Sequence, residues 1–388
     1  MDHVNVIIVG AGLSGVGAAA HLVEQCPEKT FTLLEGRAAV GGTWDLFRYP
    51  GIRSDSDMHT LGYSFKPWTQ AKSIADGPSI RDYVNETADE FDIRRHIRFD
   101  HKVQTASWDS TQSHWVLTSN LSDGSTTKIS GDFLFMCGGY YSYDDPHRPE
   151  FPGESRYQGQ VLHPQFWPED LDYEGKKVIV IGSGATAMTI VPSMTQKGAQ
   201  VTMVQRSPTY VVSRPAEDKI ANTLRKWLPE KWAYAITRLK NTTLSGYFYR
   251  QTRSQPAKTK AQLLGMATAN LGEEMVKAHF TPSYNPWDQR MCLIPDGDLY
   301  QSINEGSAQV VTGDIETWTE QGLVMKDGTE VTGDIIVTAT GITLTVMSGI
   351  AFDLDGTAIN FPDTFTYKGM MYSGIPNMAH TFGYINAS

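Results

Sequence analysis

The sequence is poor in cysteine, has no long apolar run and holds fewer basic than acidic residues. Its 388 residues include three cysteines, Cys26, Cys137 and Cys292, and no C-x-x-C pair. This spacing excludes a redox disulfide and gives no metal-binding pattern, and it fits a reducing compartment. No run of about 18 apolar residues and no leader-like N-terminus is present. We therefore expect a cytoplasmic protein, and the net charge of −10 argues against general nucleic-acid binding.

A glycine-rich turn follows the first apolar strand, VNVIIV at 4–9, and precedes a helix-forming stretch. In a G-x-G-x-x-G turn the glycines allow the bend, the approach of a pyrophosphate and close packing of the helix, whose N-terminus favours anions. Glu35 ends the next strand, at 30–34, where a carboxylate accepts ribose hydroxyls. The pattern predicts a dinucleotide site formed by Gly10, Gly12, Leu13, Ser14, Gly15 and Glu35.

A long loop follows where a dehydrogenase would continue its alternating strands and helices. It contains GGTW at 41–44 and RYPGIRSDSD at 48–57. The alternative is an irregular surface excursion, but loops of this length are uncommon without a function. A loop rich in glycine, proline and aromatic residues suits a large flat cofactor and favours FAD. We assign to that cofactor the residues Gly42, Thr43, Trp44 and Asp55.

A second glycine turn, GSGATA at 182–187, follows the strand KKVIVI at 176–181. Ala187 replaces the third glycine and is small enough for close packing. The next strand, at 200–204, ends in Gln205-Arg206-Ser207 and not in a carboxylate. An arginine there can pair with a 2′-phosphate, although it can also simply end the strand. The pattern predicts an NADPH site formed by Gly182, Ser183, Gly184, Ala185, Thr186, Arg206 and Ser207.

Two dinucleotide sites in one chain indicate that NADPH passes a hydride to FAD. We expect an α/β fold with two Rossmann-like dinucleotide-binding domains and a helical insert in the second. The predicted FAD domain comprises 1–142 and 342–388, and the NADPH domain comprises 143–341 with the insert at about 215–285. Val103 and Thr340 complete the residues that we expect to contact the cofactors.

The stretch YQGQVLHPQFWP at 157–168 joins the two predicted sites. Taken alone it could be a surface linker. It resembles the fingerprint F-x-G-x-x-x-H-x-x-x-W, followed by Pro or Asp, of the type I Baeyer–Villiger monooxygenases, which are class B flavin monooxygenases. The matching residues are Tyr157, in place of the usual Phe, Gly159, His163 and Trp167. The loop from Gly41 to Asp55 matches a second pattern of that family, and the C-terminal motifs resemble the branch of the ethionamide-activating monooxygenases.

The resemblance implies that reduced FAD adds O2 to form a C4a-peroxide, which inserts one oxygen atom next to a ketone carbonyl. Oxygenation of sulfides or thioamides is an implied side activity. The segment 284–300 is similar to the one carrying the family's active-site arginine, which assigns Arg290. We expect Arg290 to stabilise the anion and Asp55 to hold Arg290, the alternative being a structural ion pair. His163 is expected to position the linker.

Two departures from the family pattern leave other functions open. Gln289 stands where other branches often carry a lysine near the 2′-phosphate, so cofactor preference is expected to be looser. Relatives continue beyond the position of Ser388, into segments that shape the substrate pocket, and an inactive truncated remnant is therefore one alternative. A heteroatom oxygenase is another, whereas a disulfide reductase lacks its cysteine pair.

The stretch 219–260 is strongly basic, with ten Lys or Arg residues against the single acid Glu230, and it includes Trp227, Trp232 and Tyr247. Such a stretch can attach to anionic lipid. It can equally be a solvated helical face whose aromatic residues pack inward, and we favour this second interpretation. No pattern indicates the oligomeric state or the identity of the ketone or sulfide.

Overall fold

The computed structural model describes residues 1–289 and 291–382. Two compact units are formed by alternating segments of the chain. Unit 1 comprises Met1–Leu46, Pro78–Asp145 and the segment from Ile342 onward, and unit 2 comprises Phe47–Gly77 and Pro146–Gly341. Among the described residues, no helix combines the length and apolar character needed to cross a membrane.

The strands are numbered in chain order. The first of them are β1 Asp2–Val9, β2 Phe31–Leu34, β3 Ile97–Arg98, β4 Lys102–Asp109, β5 His114–Asn120, β6 Thr126–Met136, β7 Tyr141–Pro146, β8 Gln160–Leu162, β9 Lys177–Ile181, β10 Gln200–Gln205 and β11 Val211–Arg214. The later ones are β12 Cys292–Pro295, β13 Ala308–Thr312, β14 Ile315–Trp318, β15 Gly322–Met325, β16 Glu330–Thr332, β17 Ile335–Thr338, β18 Ile342–Leu344, β19 Ala351–Leu354, β20 Thr357–Ala358, β21 Thr366–Tyr367, β22 Met371–Tyr372 and β23 Met378–His380.

The helices are numbered in the same way. They are α1 Leu13–Gln25, α2 Thr43–Leu46, α3 Met58–Leu61, α4 Gly77–Glu90, α5 Ala185–Thr195, α6 Lys219–Trp227, α7 Glu230–Ser254, α8 Pro256–Leu271, α9 Glu273–His279 and α10 Asp298–Asn304.

Unit 1 is built on a mixed sheet with the strand order β20-β19-β4-β5-β6-β1-β2-β3, and β23 also pairs with β6. β1 runs parallel to β2 and β6, while β4, β5 and the first half of β6 form an antiparallel meander. Ile7, Trp115 and Leu134 are completely buried in the core of this unit. The strand predicted at 4–9 lies inside the sheet, between β6 and β2, and its apolar residues suit a strand that is covered on both faces.

Unit 2 is built on a parallel sheet with the order β13-β10-β9-β17-β8. β17 is buried along its whole length, and β9 is buried after its first residue. A small antiparallel sheet of β14, β15 and β16 adds the buried Trp318 to the core. The strands predicted at 176–181 and 200–204 are present as β9 and β10, so the second apolar run and turn mark a second parallel sheet.

The segment Phe47–Gly77 groups with unit 2, whereas the sequence patterns predict that it belongs to the first domain. A Cβ added at Gly51 would lie 1.7 Å from Ser193 Oγ on α5. Further along, the Ser73 N–H donates to the Ala216 carbonyl over 2.8 Å. This grouping arises from contacts between residues that are far apart in sequence. Such contacts cannot be predicted from a local sequence pattern.

Helices α6 to α9 occupy the predicted insert, and α7 has an unusual arrangement of its faces. Its buried residues are Ala233, Thr237 and Thr252, while Trp232 is 66% exposed. The expectation that the aromatic residues pack inward is wrong for this tryptophan, for Tyr247, which is 59% exposed, and for Trp227 at the end of α6, which is 81% exposed. The reason is steric, because α3, α6 and α8 all contact α7 and close helix packing leaves space only for small side chains.

We predict that Ala233→Leu lowers the thermal unfolding midpoint of the protein, because the added methylenes have no space between packed helices. Overpacking of this kind costs about 1–3 kcal/mol. The matched control is Ala235→Leu, since Ala235 is exposed on the same helix. Equal midpoints for the two variants, measured by circular dichroism, would contradict the buried position of Ala233.

Candidate dinucleotide sites

The first glycine turn follows β1 in unit 1 and leaves no space for side chains. Gly10 has φ +100°, and a Cβ there would lie 2.6 Å from the Cys137 carbonyl oxygen. A Cβ at Gly15 would lie 1.9 Å from the Gly10 oxygen. Helix α1 starts directly after Gly12 without a side-chain cap. The backbone at the positive end of the helix dipole is thus open to an anion such as a pyrophosphate.

Glu35 lies beside this turn, at the end of β2, and is only 5% exposed. Its Oε2 accepts the Ala11 N–H over 2.7 Å, and its Oε1 accepts the Arg37 N–H over 3.0 Å. Burial raises the pKa of Glu35, although these two N–H groups act in the opposite direction. Each carboxylate oxygen can accept a second hydrogen bond, so the side chain is fixed in place and can still receive ribose hydroxyls.

The loop after β2 packs directly on the turn. A Cβ at Gly42 would lie 3.0 Å from Gly12 Cα, and Gly42 has φ +57°. Thr43 and Trp44 form the first turn of α2 and are half-buried. Val103 is 8% exposed and its side chain lies in the core of unit 1, so only its backbone can face a cofactor.

Arg37 and Tyr143 also belong to this site, although neither is part of the glycine motif. Arg37 Nη2 pairs with Asp45 Oδ2 over 2.8 Å, and its guanidinium lies 5.9 Å from the centre of the Tyr143 ring. Burial raises the pKa of Tyr143 to about 12. The sequence could have indicated Arg37 only by its position, two residues after Glu35. No feature of the sequence links Tyr143 to the turn.

The second glycine turn, in unit 2, repeats the geometry of the first. Gly182 has φ +134°, and a Cβ there would lie 2.2 Å from the Ala339 oxygen. Helix α5 begins after Gly184 without a side-chain cap, and no described atom lies within 4 Å of a Cβ added at Gly184. The turn therefore leaves open space in front of a helix N-terminus, as a dinucleotide site requires.

The polar residues predicted around this turn come together at the end of β10. Ser183 Oγ donates to the Ser207 carbonyl over 3.3 Å. Arg206 is exposed and makes no ion pair with a residue that the structure describes. Its guanidinium is thus accessible to the phosphate group of a ligand. Ala185 and Thr186 form the first turn of α5.

The second part of the loop motif lies in unit 2. The side chain of Tyr49 is hydrogen-bonded to Thr186, and burial raises the pKa of Tyr49 to about 12. Asp55 belongs to the same unit and is exposed. The link between Tyr49 and the second turn was not predicted, because the whole motif was assigned to the first site.

The fingerprint stretch builds the edge of the unit 2 sheet. Tyr157 Oη donates to the Gly333 carbonyl over 2.8 Å, and a Cβ at Gly159 would lie 2.5 Å from the Asp334 oxygen. His163 Nδ1 accepts the Gln165 N–H over 3.2 Å. Trp167 packs in the hydrophobic core of this unit. These contacts give the stretch a structural role.

Two further predicted residues belong to unit 2. Thr340 Oγ1 donates to the His147 carbonyl over 2.7 Å, two residues after the end of β17. Gln289 is exposed. Arg290 lies outside the described residues, so the predicted pairing of Asp55 with Arg290 stays a prediction.

Comparisons with known proteins agree with this geometry. The family model for flavin-binding monooxygenase-like proteins matches residues 3–348. The chain belongs to this family. It is similar to the FAD-containing monooxygenase EthA of Mycolicibacterium smegmatis, with 51% identity over 100% of this chain and 79% of the relative. EthA of Mycobacterium tuberculosis is 50% identical over the same shares.

Solved structures of monooxygenases share the fold. An oxidised steroid monooxygenase bound to NADP matches with a TM-score of 0.82 and 26% identity, over 98% of this chain and 80% of that one. An open form of cyclohexanone monooxygenase matches with a TM-score of 0.80 and 21% identity, over 99% and 83%. OTEMO in complex with FAD and NADP has a TM-score of 0.78 and 20% identity, over 98% and 80%.

These likenesses decide three of the sequence predictions. The α/β fold with two dinucleotide-binding domains is confirmed. The chain is a flavin monooxygenase, as the motifs indicated. The cofactor pair inferred from the two turns, FAD and NADPH, is confirmed at the level of the family by relatives that contain FAD and by structures bound to NADP.

We predict that His163 makes unit 2 sensitive to acid. Burial lowers the pKa of His163 from its ordinary value of 6.5, so the folded state binds this proton less readily than the unfolded state. Its contribution to stability is therefore present above pH 6.5 and is lost as the pH falls below that value.

His163→Asn keeps an acceptor for the Gln165 N–H but removes the proton. We expect a smaller loss of the thermal unfolding midpoint between about pH 7 and about pH 5 in this variant than in the unmodified protein. The unfolding midpoint of the variant should still depend on pH to some extent, because burial also lowers the pKa values of His59 and His279. An equal loss of the unfolding midpoint in the variant and in the unmodified protein would show that His163 does not contribute to acid sensitivity.

Proposed function

We propose that this protein is an FAD- and NADPH-dependent monooxygenase that inserts one oxygen atom from O2 next to a ketone carbonyl, giving an ester or lactone. Unit 1 is the FAD domain and unit 2 is the NADPH domain. The observation that carries this proposal is the pair of glycine turns with opposite charges at the ends of their second strands. A buried carboxylate, Glu35, accompanies the first turn, and an exposed guanidinium, Arg206, accompanies the second.

The residues of the first site fit FAD. The backbone of Gly12 and the start of α1 receive the pyrophosphate, and Gly42 lies against Gly12 where a side chain would not fit. Glu35, held by two backbone N–H groups, accepts the ribose hydroxyls. The chemistry that FAD supplies, when bound and reduced by NADPH, is the activation of O2.

The residues of the second site fit NADPH better than NADH. A carboxylate at the end of β10 would repel a 2′-phosphate, whereas Arg206 attracts it by a charge-assisted hydrogen bond. Ser207 is fixed beside it through the bond from Ser183. Gln289 carries no charge, so most of the discrimination falls on Arg206.

Oxygen transfer to a ketone needs stabilisation of negative charge. We assign this work to Arg290, because a guanidinium stays protonated near neutral pH and stabilises the oxyanion that develops on the carbonyl oxygen. Asp55 is assigned to orient Arg290. The support for this assignment is the likeness of segment 284–300 and of the motif ending at Asp55 to the Baeyer–Villiger monooxygenases.

Oxygen transfer to sulfur is the second candidate function. A sulfide attacks an electrophilic oxygen and develops no oxyanion on the substrate, so it does not need the guanidinium. The similarity to EthA extends over the whole chain, and the two reactions can share one cofactor arrangement. They differ in their dependence on Arg290.

We predict that Arg206→Ala raises the KM for NADPH about tenfold or more, because it removes a charge-assisted hydrogen bond to the 2′-phosphate. The KM for NADH should stay unchanged, and Arg206→Lys should retain part of the preference. Lys326→Ala is a matched control, since Lys326 is an exposed cation of unit 2 that pairs with Asp314. Equal effects on the two nucleotides would remove Arg206 from phosphate recognition.

We predict that Arg290→Ala lowers the rate of ketone oxygenation by about a hundredfold or more, while sulfide oxygenation and NADPH oxidation continue. The measurement is product analysis with a paired alicyclic ketone and aryl methyl sulfide under labelled O2, together with assay of hydrogen peroxide. Gln289→Ala, at the neighbouring exposed position, is the control. A parallel loss of both products would indicate a structural role for Arg290, and unchanged rates for both products would remove Arg290 from oxygen transfer to the ketone.

A further inference from the structure

One face of α7 carries large apolar side chains that point away from the protein. Trp232, Ile236, Leu239 and Tyr247 are 66%, 42%, 69% and 59% exposed. Their spacing of four, three and eight residues follows the helical period and places them on one side. The stripe extends over roughly 22 Å of helix.

Two exposed apolar residues also lie at the end of α6, directly before α7 in the chain. Trp227 is 81% exposed and Leu228 is 37% exposed. An ordinary surface helix points its large apolar residues into the core and its small or polar residues outward. Helix α7 does the reverse, since its inward residues are Ala233, Thr237 and Thr252. An exposed apolar stripe of this size marks an interaction surface.

Free basic side chains border the stripe. Lys226, Lys231 and Arg250 are exposed and form no ion pair with any residue of the described ranges. They differ from neighbouring cations that stabilise the fold. Arg225 donates to the Trp68 carbonyl over 3.1 Å, and Lys240 pairs with Asp218 over 2.5 Å.

The charge of the whole chain selects the partner. The stretch 219–260 has ten basic residues and one acidic residue, although the chain has a net charge of −10. An anionic surface therefore attracts this stretch and repels the rest of the protein. Symmetric pairing of two copies through α7 would instead bring the lysines of both copies together, which is unfavourable.

We propose that α6 and α7 form a docking surface for an anionic phospholipid bilayer, in which the stripe enters the headgroup region and the bordering cations contact lipid phosphates. Tryptophan favours this region because its ring is apolar and its N–H is polar. The helices lie parallel to the bilayer and do not cross it, as amphipathic surface helices do. No residue of the stripe belongs to either glycine turn.

The test is flotation of the purified protein with vesicles at low and high salt. One set of vesicles consists of phosphatidylcholine alone, and the other contains about one part in three of phosphatidylglycerol. We expect flotation with the anionic vesicles at low salt and its loss at high salt. Brominated lipid in the anionic vesicles should quench tryptophan emission, and Trp227→Ser with Trp232→Ser should remove this quenching.

Two double variants measure separately how the basic side chains and the apolar side chains contribute to vesicle binding. Lys226→Glu with Lys231→Glu, and separately Trp232→Ser with Leu239→Ser, should each weaken vesicle binding about tenfold or more. The matched control is Phe365→Ser, because Phe365 is 82% exposed in unit 1. All the substituted side chains are exposed, so the thermal unfolding midpoints should stay close to that of the unmodified protein.

Three results would overturn the proposal. The first is no flotation with anionic vesicles, and the second is equal binding to both lipid compositions. The third is a stable dimer in light scattering that Trp232→Ser dissociates, which would assign the stripe to a second copy of the chain. NADPH oxidation of each variant in detergent-free buffer is a separate readout, so loss of docking can be distinguished from loss of the enzyme.

Discussion

Both units depend on the same close contact between a glycine and the carbonyl oxygen of a neighbouring strand end. In unit 1 a Cβ at Gly10 would lie 2.6 Å from the Cys137 oxygen, and in unit 2 a Cβ at Gly182 would lie 2.2 Å from the Ala339 oxygen. Both glycines also have positive φ, which other residues adopt only with strain. Because the strand, the turn and the helix meet at this point, the helix N-terminus is held beside the end of the next strand.

The two units share this scaffold but place different chemistry at its edge. Glu35 is buried and held by backbone N–H groups, as suits fixed recognition of neutral hydroxyls. Arg206 is exposed at the corresponding position of unit 2. A buried carboxylate is costly unless it is hydrogen-bonded, which explains why the backbone of Ala11 and Arg37 accompanies Glu35. An exposed arginine needs no such partners.

Local features of the fold could be predicted from the sequence, whereas contacts between distant segments could not. The strands that flank each turn are rich in apolar residues because parallel strands are covered on both faces, so β1, β2, β9 and β10 are visible as patterns. The segment Phe47–Gly77 groups with unit 2, and Gly51 lies close to Ser193 there, but a glycine in a loop does not specify its neighbour. For the same reason Tyr143 was missed beside Arg37, as was Tyr49 beside Thr186.

Helix α7 shows how a pattern can be recognised and its orientation mistaken. The basic and aromatic stretch was visible in the sequence, but a helical period does not say which face is inward. The large residues were expected inside, since burying them gives the greater hydrophobic gain. Close contact with α3, α6 and α8 instead selects Ala233 and Thr237, so the helix gains little from burial of its own side chains.

The exposed stripe of α7 favours non-specific association of the protein. The excess of acidic residues in the remainder of the chain opposes such contact between copies. If the exposed apolar stripe of α7 binds a partner, this one role explains both the small residues on the inward face of α7 and the excess of acidic residues in the rest of the chain.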